Sequence, residues 1–526
     1  MNINIYQFNL LIIFVLLIAS LGFAQSVDLP LGHWVYSFLD ELETKGMFRC
    51  FSSRSLPMSR VEIAKIISQV EEAIKTDKIQ ITRTERDRLE QLKGEFHEEL
   101  QNLNLESDPR YRERHLFTWS EENNQIHADF DFGFNLEVNR GEQYSSTERL
   151  SHTTFGGILR ANLKNNLWFH IFVRNTLSRG VDYSQQNLDP SRGIPIDFAG
   201  KNAYSDRAIA YFIYKLPWFQ LKVGRDQAKW GPGYRGSLML SAQNPLFDMI
   251  KLKTQFNRFQ FISIHGHLNS SYGRKFLAIH RLEIKIAPWL YMAGSEAVVY
   301  GNRGIEFQYL NPIMPYHVAE HHLGDQDNNT IGFDVTLFPI KDFKSYFELF
   351  IDDYTLSKSI FDYYGNKFAF LLGGYWVEPF GLKNVDFRVE YTRVEPFVYT
   401  HEDSINVYQN YDQSVGHWLG PNADDWFFEA NYNPNRDLRL TFSLEQVRKG
   451  EGDISQPWNE SYGERKRFLS GVVEKRNIYG VKITDQILRD VFLSLKAFWI
   501  QTKNLERIAA KNSHDTQVNL ELLLNY

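Results

Sequence analysis

The end of the chain alternates between apolar and polar side chains, and this alternation constrains the fold more than any other feature. Within Gln517–Tyr526 the regularly spaced apolar positions are Val518, Leu520, Leu522, Leu524 and Tyr526. Because successive side chains of a β-strand point to opposite faces, the stretch predicts a strand with one apolar face that ends in an aromatic residue. Taken alone, this pattern fits a strand of a soluble sandwich as well as a strand that faces lipid.

The same alternation recurs through most of the chain from Gln125 onward. Its clearest internal example places Phe130, Phe132 and Phe134 on one face and polar residues on the other. Shorter examples occur at Ala208–Leu216, Phe219–Arg225, Phe387–Tyr391, Leu438–Leu444 and Val491–Trp499. The mean hydropathy of −0.39 and the 23% of charged residues exclude a bundle of membrane helices. The 15% of aromatic residues would supply the aromatic girdles of a transmembrane β-barrel.

The connections between the predicted strands are alternately short and long. The short ones are Lys164–Asn166, Leu216–Trp218, Asn257–Arg258, Ala287–Trp289, Phe338–Asp342, Pro379–Lys383, Asn433–Arg436 and Thr484–Arg489. The long ones are Arg179–Asn202, Ala228–Leu246, Tyr300–Asp327, Val394–Asp424 and Lys449–Arg467. Outer-membrane barrels have short turns on the periplasmic rim and long loops on the outer rim. We therefore predict that residues 116–526 form an all-β transmembrane barrel of about 18 antiparallel strands, with extracellular long loops.

The N-terminus has the pattern of a secretory signal peptide, which we assign to residues 1–24. Leu10–Leu21 is almost wholly apolar, and Gly22-Phe23-Ala24 supplies small residues for cleavage after Ala24. Met1–Asn9 carries no Lys or Arg, so an uncleaved anchor is the alternative.

Residues 25–115 predict a small α-helical domain. Ser59 and Glu62 have the spacing of a capping box, and apolar residues follow at helical intervals. Thr82 and Glu85 repeat that spacing before a third apolar stripe. An even number of strands puts both barrel ends on the short-turn side, so this domain is predicted to be periplasmic.

Charge, cysteine content and motif context exclude several other functions. The net charge of −6 gives no basic surface for nucleic acid, and the single Cys50 cannot form an internal disulfide. His317, Glu320 and His321 match the H-x-x-E-H signature of some metallopeptidases, but nearby prolines and a glycine leave room for barely two helical turns. We predict no catalytic residue, no cofactor and no metal site.

Three short motifs carry a resemblance to a known family. The first runs from Gly224 to Leu238 and contains Lys-Trp-Gly-Pro-Gly-Tyr-Arg-Gly. The second runs from Tyr309–Pro312 to Gly324–Asn328, and the third is Leu419–Asp425. In these motifs and their order, the chain resembles the Wzi family of capsule assembly proteins of Gram-negative outer membranes. The resemblance implies an outer-membrane barrel with a periplasmic helical bundle and a lectin-like role in holding capsular or exopolysaccharide at the cell surface.

The candidate binding residues lie in or beside these motifs, in loops predicted to face outward. Aromatic rings stack on the C–H faces of sugars, and charged side chains bind sugar hydroxyls or acidic groups. The polysaccharide-binding candidates are Trp230, Tyr234, Arg235, Asp325, Asp327, Trp418, Asp424 and Asp425. The alternative is that these residues plug the lumen, because an Arg–Asp network fixes the shape of a loop without any ligand.

The predicted function is non-enzymatic binding of surface polysaccharide by a monomer embedded in outer-membrane lipid. A transport pore and an outer-membrane hydrolase are the alternatives. A lumen lined by loosely packed polar side chains would favour the pore. A serine and a histidine aligned within hydrogen-bonding distance would favour the hydrolase.

Overall fold

Eighteen long antiparallel strands close into a barrel, as the short and long connections between the predicted strands indicate. The computed structural model describes residues 26–76, 79–101, 103–144, 146–164, 166–180 and 191–524, so the predicted signal peptide and Tyr526 lie outside it. The strands are β1 Asn124–Gly141, β2 Glu148–Leu163, β3 Leu167–Arg179, β4 Asn202–Lys215, β5 Gln220–Asp226, β6 Phe247–Phe256, β7 Phe259–Leu268, β8 Lys275–Ala287, β9 Leu290–Gly301, β10 Asn328–Ile340, β11 Phe343–Asp353, β12 Lys367–Val377, β13 Val385–Val394, β14 Ala423–Tyr432, β15 Leu438–Lys449, β16 Glu474–Leu488, β17 Val491–Lys503 and β18 Ser513–Leu524.

The last strand closes the barrel by pairing with the first. Leu520 of β18 lies opposite Leu136 of β1, and this ladder leaves neither strand with a free edge. Val518 and Leu520 are exposed on the outer face, whereas Glu521 lines a cavity inside. The alternation in β18 therefore separates the outer face from the lumen, which confirms this part of the prediction.

Short turns and long loops lie at opposite rims. At one rim, residues 257–258 join β6 to β7 and residues 341–342 join β10 to β11. At the other rim, residues 302–327 join β9 to β10, residues 395–422 join β13 to β14, and residues 450–473 join β15 to β16. Short strands outside the eighteen lie at Ser55–Leu56, Phe117–Glu121, Ile194–Ala199, Lys229–Trp230, Gln409–Asn410 and Gln413–Ser414.

The segment before the barrel is helical, with α1 Val35–Thr44, α2 Arg60–Lys75, α3 Arg83–Glu95 and α4 His97–Gln101. Ser59 Oγ accepts a hydrogen bond from the N–H of Glu62, and the Glu62 carboxylate accepts one from the N–H of Ser59, so the predicted capping box forms. Thr82 and Glu85 form the second one. The helices bury a common apolar core that includes Phe38.

Two short helices, α5 Phe307–Leu310 and α6 Tyr316–Leu323, lie in the loop between β9 and β10. No helix in the described part of the chain is both long and apolar enough to cross a membrane.

The helical segment closes the short-turn mouth of the barrel. Arg388 of β13 donates a 2.7 Å hydrogen bond to Asp40 of α1, and Lys344 of β11 also pairs with that carboxylate. Burial would raise the pKa of Asp40, but these two cations hold it well below its usual range. Gln91 of α3 is hydrogen-bonded to Gln486 of β16 at 2.6 Å. Ion pairs and polar contacts on several sides thus fix the helices across the opening.

Candidate functional site

The first family-like motif turns back into the lumen. The loop leaves β5 at the long-loop rim, and its Lys229–Trp230 segment then pairs antiparallel with Ser55–Leu56 of the helical segment. Trp230 also donates its backbone N–H to the carbonyl of Leu240 at 2.9 Å. We call residues 227–246 the inward loop, because it spans the interior from the outer rim to the helical segment.

Two carboxylates of the barrel wall bind the backbone of the inward loop. Glu348 of β11 accepts hydrogen bonds from the N–H groups of Gly233 at 2.7 Å and Leu238 at 2.8 Å. Glu390 of β13 accepts them from Tyr234 at 2.7 Å and Arg235 at 2.8 Å. Buried N–H groups need such partners, and the two carboxylates supply four acceptor contacts to the loop backbone.

Glycine allows this close approach. Gly231 has a φ of +119°, and a Cβ at this position would lie 2.4 Å from Glu348 Oε1. A Cβ on Gly236 would lie 2.6 Å from the ring of His417. Burial lowers the pKa of His417 to about 3, helped by the charges of Arg235 and Lys229, so this imidazole is neutral at physiological pH.

Four of the predicted site residues come together around the inward loop. The Arg235 guanidinium pairs with Glu445 at 2.5 Å, lies 5.6 Å from the Trp418 ring and is within electrostatic reach of Asp425. Tyr234 donates its hydroxyl hydrogen to Glu429 at 2.9 Å. Trp418 remains 37% exposed, whereas the 41% exposed Tyr234 lines an inner cavity beside the helical segment, and Arg388 lies 4.1 Å over its ring. We call Tyr234, Arg235, Trp418 and Asp425 the Arg235 cluster.

Trp230 occupies a different environment from the one expected for a sugar-stacking ring. Its side chain is fully buried in an apolar cluster with Leu238, Leu240 and Phe350. Residues of the 395–422 loop complete that packing, and the Tyr399 hydroxyl donates to the Leu238 carbonyl at 2.7 Å. Trp230 therefore contributes to holding the inward loop, as in the plug alternative.

The remaining three predicted residues lie apart from the Arg235 cluster. Asp327 is buried, accepts a 2.7 Å hydrogen bond from the Tyr309 hydroxyl and pairs with Arg303. Asp424 is buried at the long-loop end of β14, where Arg448 pairs with it at 2.5 Å. Both side chains fix local structure by the pairing that the plug alternative describes. Asp325 is exposed after α6 and accepts from His321.

The part of the lumen left by the inward loop holds two cavities of about 690 and 720 Å³. Both include Lys496 and Glu521 in their walls, and these two side chains pair at 2.8 Å. The first cavity is also lined by Tyr234 and Arg235, and the second by His152 and Arg174. Polar positions within the alternating strands indicate a polar lumen. The sequence did not identify His152, Arg174, Lys496 and Glu521 as cavity residues, or Glu348 and Glu390 as carboxylates that bind the inward loop.

Comparisons with known proteins agree with this architecture. A family model described as capsule assembly protein Wzi matches residues 111–517. Among solved structures, the chain is similar to the Escherichia coli Wzi structure, which is described as a carbohydrate-binding β-barrel of the outer membrane involved in group 1 capsule assembly. The TM-score is 0.60 at 13% identity, over 96% of this chain and 99% of that one.

Two further structures match less of this chain. Pseudomonas aeruginosa OccK5 (OpdH) has a TM-score of 0.41 at 11% identity, over 76% of this chain and 98% of that one. Acinetobacter baumannii OccAB1 has a TM-score of 0.42 at 8% identity, over 76% and 97%. A search of curated proteins finds no match to this sequence.

Proposed function

This chain belongs to the Wzi family of capsule assembly proteins, and from that premise we propose that it binds capsular or exopolysaccharide at the outer membrane. It helps to assemble or retain the polysaccharide at the cell surface and does so without catalysis. The observation that carries the proposal is the family match over residues 111–517, which includes all three loop motifs.

The position of the helical segment supports binding over transport. The helical segment lies across the short-turn mouth, and the inward loop crosses the lumen to pair with it. In this proposal residues 25–115 form a periplasmic domain that blocks the barrel, and the long loops face the cell exterior. A polysaccharide would then meet the outer rim and would not pass through the barrel.

We assign the Arg235 cluster as one contact point for the glycan. The exposed ring of Trp418 suits stacking on sugar C–H groups, since aromatic rings combine apolar area with a polar handle. Arg235 suits a hydroxyl or an acidic sugar group. Repeated sugar units would add many weak contacts into strong overall retention. Trp230, Asp327 and Asp424 are assigned structural roles.

Cells that lack the native gene and express variant proteins test this assignment. Trp418→Ala combined with Arg235→Gln should release polysaccharide into the medium while its synthesis continues. Trp218→Ala is the matched control, because Trp218 is 56% exposed at the short-turn rim. Full retention by a normally folded double variant would remove the Arg235 cluster from the binding site.

A hydrolase is the second candidate, favoured by one observation. The His152 ring nitrogen Nδ1 lies 2.7 Å from Ser178 Oγ on adjacent strands β2 and β3. A nucleophile and its base need this contact, but a hydrolase also needs donors for the oxyanion and a group that orients the imidazole. Acyl-ester hydrolysis by the purified protein that disappears in Ser178→Ala would establish this activity, and equal background rates would exclude it.

A further inference from the structure

We propose that Glu98, His115 and His127 bind a divalent transition-metal ion, with Zn²⁺ the best match, where the helical segment meets the barrel. Glu98 lies on α4, His115 lies in the segment that connects the helices to the barrel, and His127 lies near the start of β1. This metal site is independent of the polysaccharide-binding surface.

The three side chains converge on one point. One ligand atom from each lies within 4.8 Å of the others, and His127 Nε2 is 3.2 Å from Glu98 Oε2. The two imidazole rings have their centroids 4.2 Å apart. In a tetrahedral zinc site with bonds of about 2.0–2.1 Å, neighbouring ligand atoms lie about 3.4 Å apart. Small side-chain shifts are therefore enough to bring all three ligands into bonding distance.

Both histidines are oriented through their other ring nitrogen. Asp129 Oδ2 lies 2.8 Å from His115 Nδ1, and Asp129 Oδ1 accepts the backbone N–H of Leu116 at 3.0 Å. Thr118 Oγ1 lies 3.3 Å from His127 Nδ1. These contacts direct the Nε2 atoms of both rings toward Glu98. A carboxylate that fixes the tautomer and orientation of a histidine is the usual outer-shell partner of a metal ligand.

Burial and charge suit a cation. The His115 and His127 side chains are 5% and 7% exposed, while Glu98 is 39% exposed and leaves a path for the ion to enter. Imidazole nitrogen is a borderline ligand that suits zinc, whereas calcium and magnesium prefer oxygen ligands, so two imidazoles and one carboxylate favour zinc.

Glu113 and Arg160 border the site. Glu113 Oε2 is 3.8 Å from His115 Nε2 and accepts a 2.8 Å hydrogen bond from Arg60, so this carboxylate pairs with the arginines beside the site. Arg160 Nη2 donates to Glu113 at 2.6 Å and lies 3.5 Å from His115 Nε2. Binding of the metal replaces this last contact, and the arginine remains paired with Glu113.

The ligands come from three segments that are brought together only when the helices are docked. A metal that binds them stabilises the docked arrangement over any arrangement in which the helices have moved away. The bound metal would thus cross-link the helical segment to the barrel.

The test uses the full mature chain without a histidine tag, refolded or extracted in detergent, with ZnCl₂ as the only added metal. Wild type should retain one zinc per chain after dialysis and should unfold at a higher temperature with zinc than with chelator. His127→Ala should weaken zinc binding by more than about 100-fold, since outer-shell partners alone are worth about 10–100-fold. Asp129→Asn, which alters only the outer shell, should fall within that about 10–100-fold range.

His514→Ala is the matched control, because that side chain is 68% exposed at the opposite rim. Heat-modifiable migration on gels confirms that each variant has a folded barrel. Glu98→Gln keeps the shape of the side chain and removes a charged ligand, so it tests the site even where His127→Ala fails to fold. No zinc in wild type, or equal zinc in wild type, Glu98→Gln and His514→Ala, would overturn the proposal.

Discussion

Glu390 offers the most direct perturbation of the inward loop. Its carboxylate is almost fully buried and accepts the N–H groups of Tyr234 and Arg235 together with the hydroxyl of Tyr346 at 2.8 Å. Replacing it with alanine leaves two backbone N–H groups without this acceptor. The change removes these contacts, and that of the Tyr346 hydroxyl, without altering the loop sequence.

The magnitude follows from the two backbone hydrogen bonds. Hydrogen bonds to charged groups contribute about 1.5–3 kcal/mol each, so Glu390→Ala should weaken docking of the loop by about 3–6 kcal/mol. Each 1.4 kcal/mol is a factor of about ten in an equilibrium constant. Local opening of the loop should therefore become at least about 100-fold more frequent.

Hydrogen–deuterium exchange measures this opening. The amides of Tyr234 and Arg235 should exchange at least about 100-fold faster in Glu390→Ala, whereas strand amides of β18 should keep their protection. Glu521→Ala is the control, because Glu521 lines the lumen but pairs with Lys496 on the far wall. Unchanged exchange at Tyr234 and Arg235 in a folded Glu390→Ala barrel would refute the role of Glu390 as an anchor.

Two further predictions concern the loop and the helical segment. Gly231→Ala should destabilise the docked loop by more than about 1 kcal/mol, because the φ of Gly231 is +119° and the new Cβ would contact Glu348. Gly304→Ala is the control and should be neutral, because no atom lies within 4 Å of the added Cβ. Faster amide exchange of the inward loop in Gly231→Ala alone would distinguish the two variants. Burial would raise the pKa of Glu62, but Lys253 holds it at about 2, below the ordinary 4.5. The contribution of ionised Glu62 to the free energy of unfolding is therefore complete above pH 4.5 and is lost as the pH falls toward 2, by about 3 kcal/mol at most. Glu62→Gln should remove this part of the acid sensitivity of thermal unfolding.

Local sequence patterns were sufficient to predict much of the fold. The alternation in β18 separates Leu520 from Glu521, and the capping boxes at Ser59 and Thr82 mark two real helix starts. Both features depend on residues close in sequence, whose periodicity determines which face is buried. The strand number followed because each short turn joins two strands of one hairpin.

The candidate site depended on contacts that no local pattern contains. A glycine-rich loop has the same sequence signature whether it stays outside or turns inward, and its direction here depends on Glu348, Glu390 and Ser55–Leu56. Trp230 was therefore expected at a surface and is buried. Trp418 and Arg235 are distant in sequence, so their proximity was predicted only through the shared rim.

Binding of purified surface polysaccharide from the producing cells to the purified, folded barrel tests the central claim most directly. Immobilised glycan should bind wild-type protein saturably, with stronger retention on longer chains because repeated units supply avidity. Trp418→Ala combined with Arg235→Gln should weaken that binding, and Trp218→Ala should leave it unchanged. Absence of binding by folded wild-type protein to both short and long glycan chains would contradict the account.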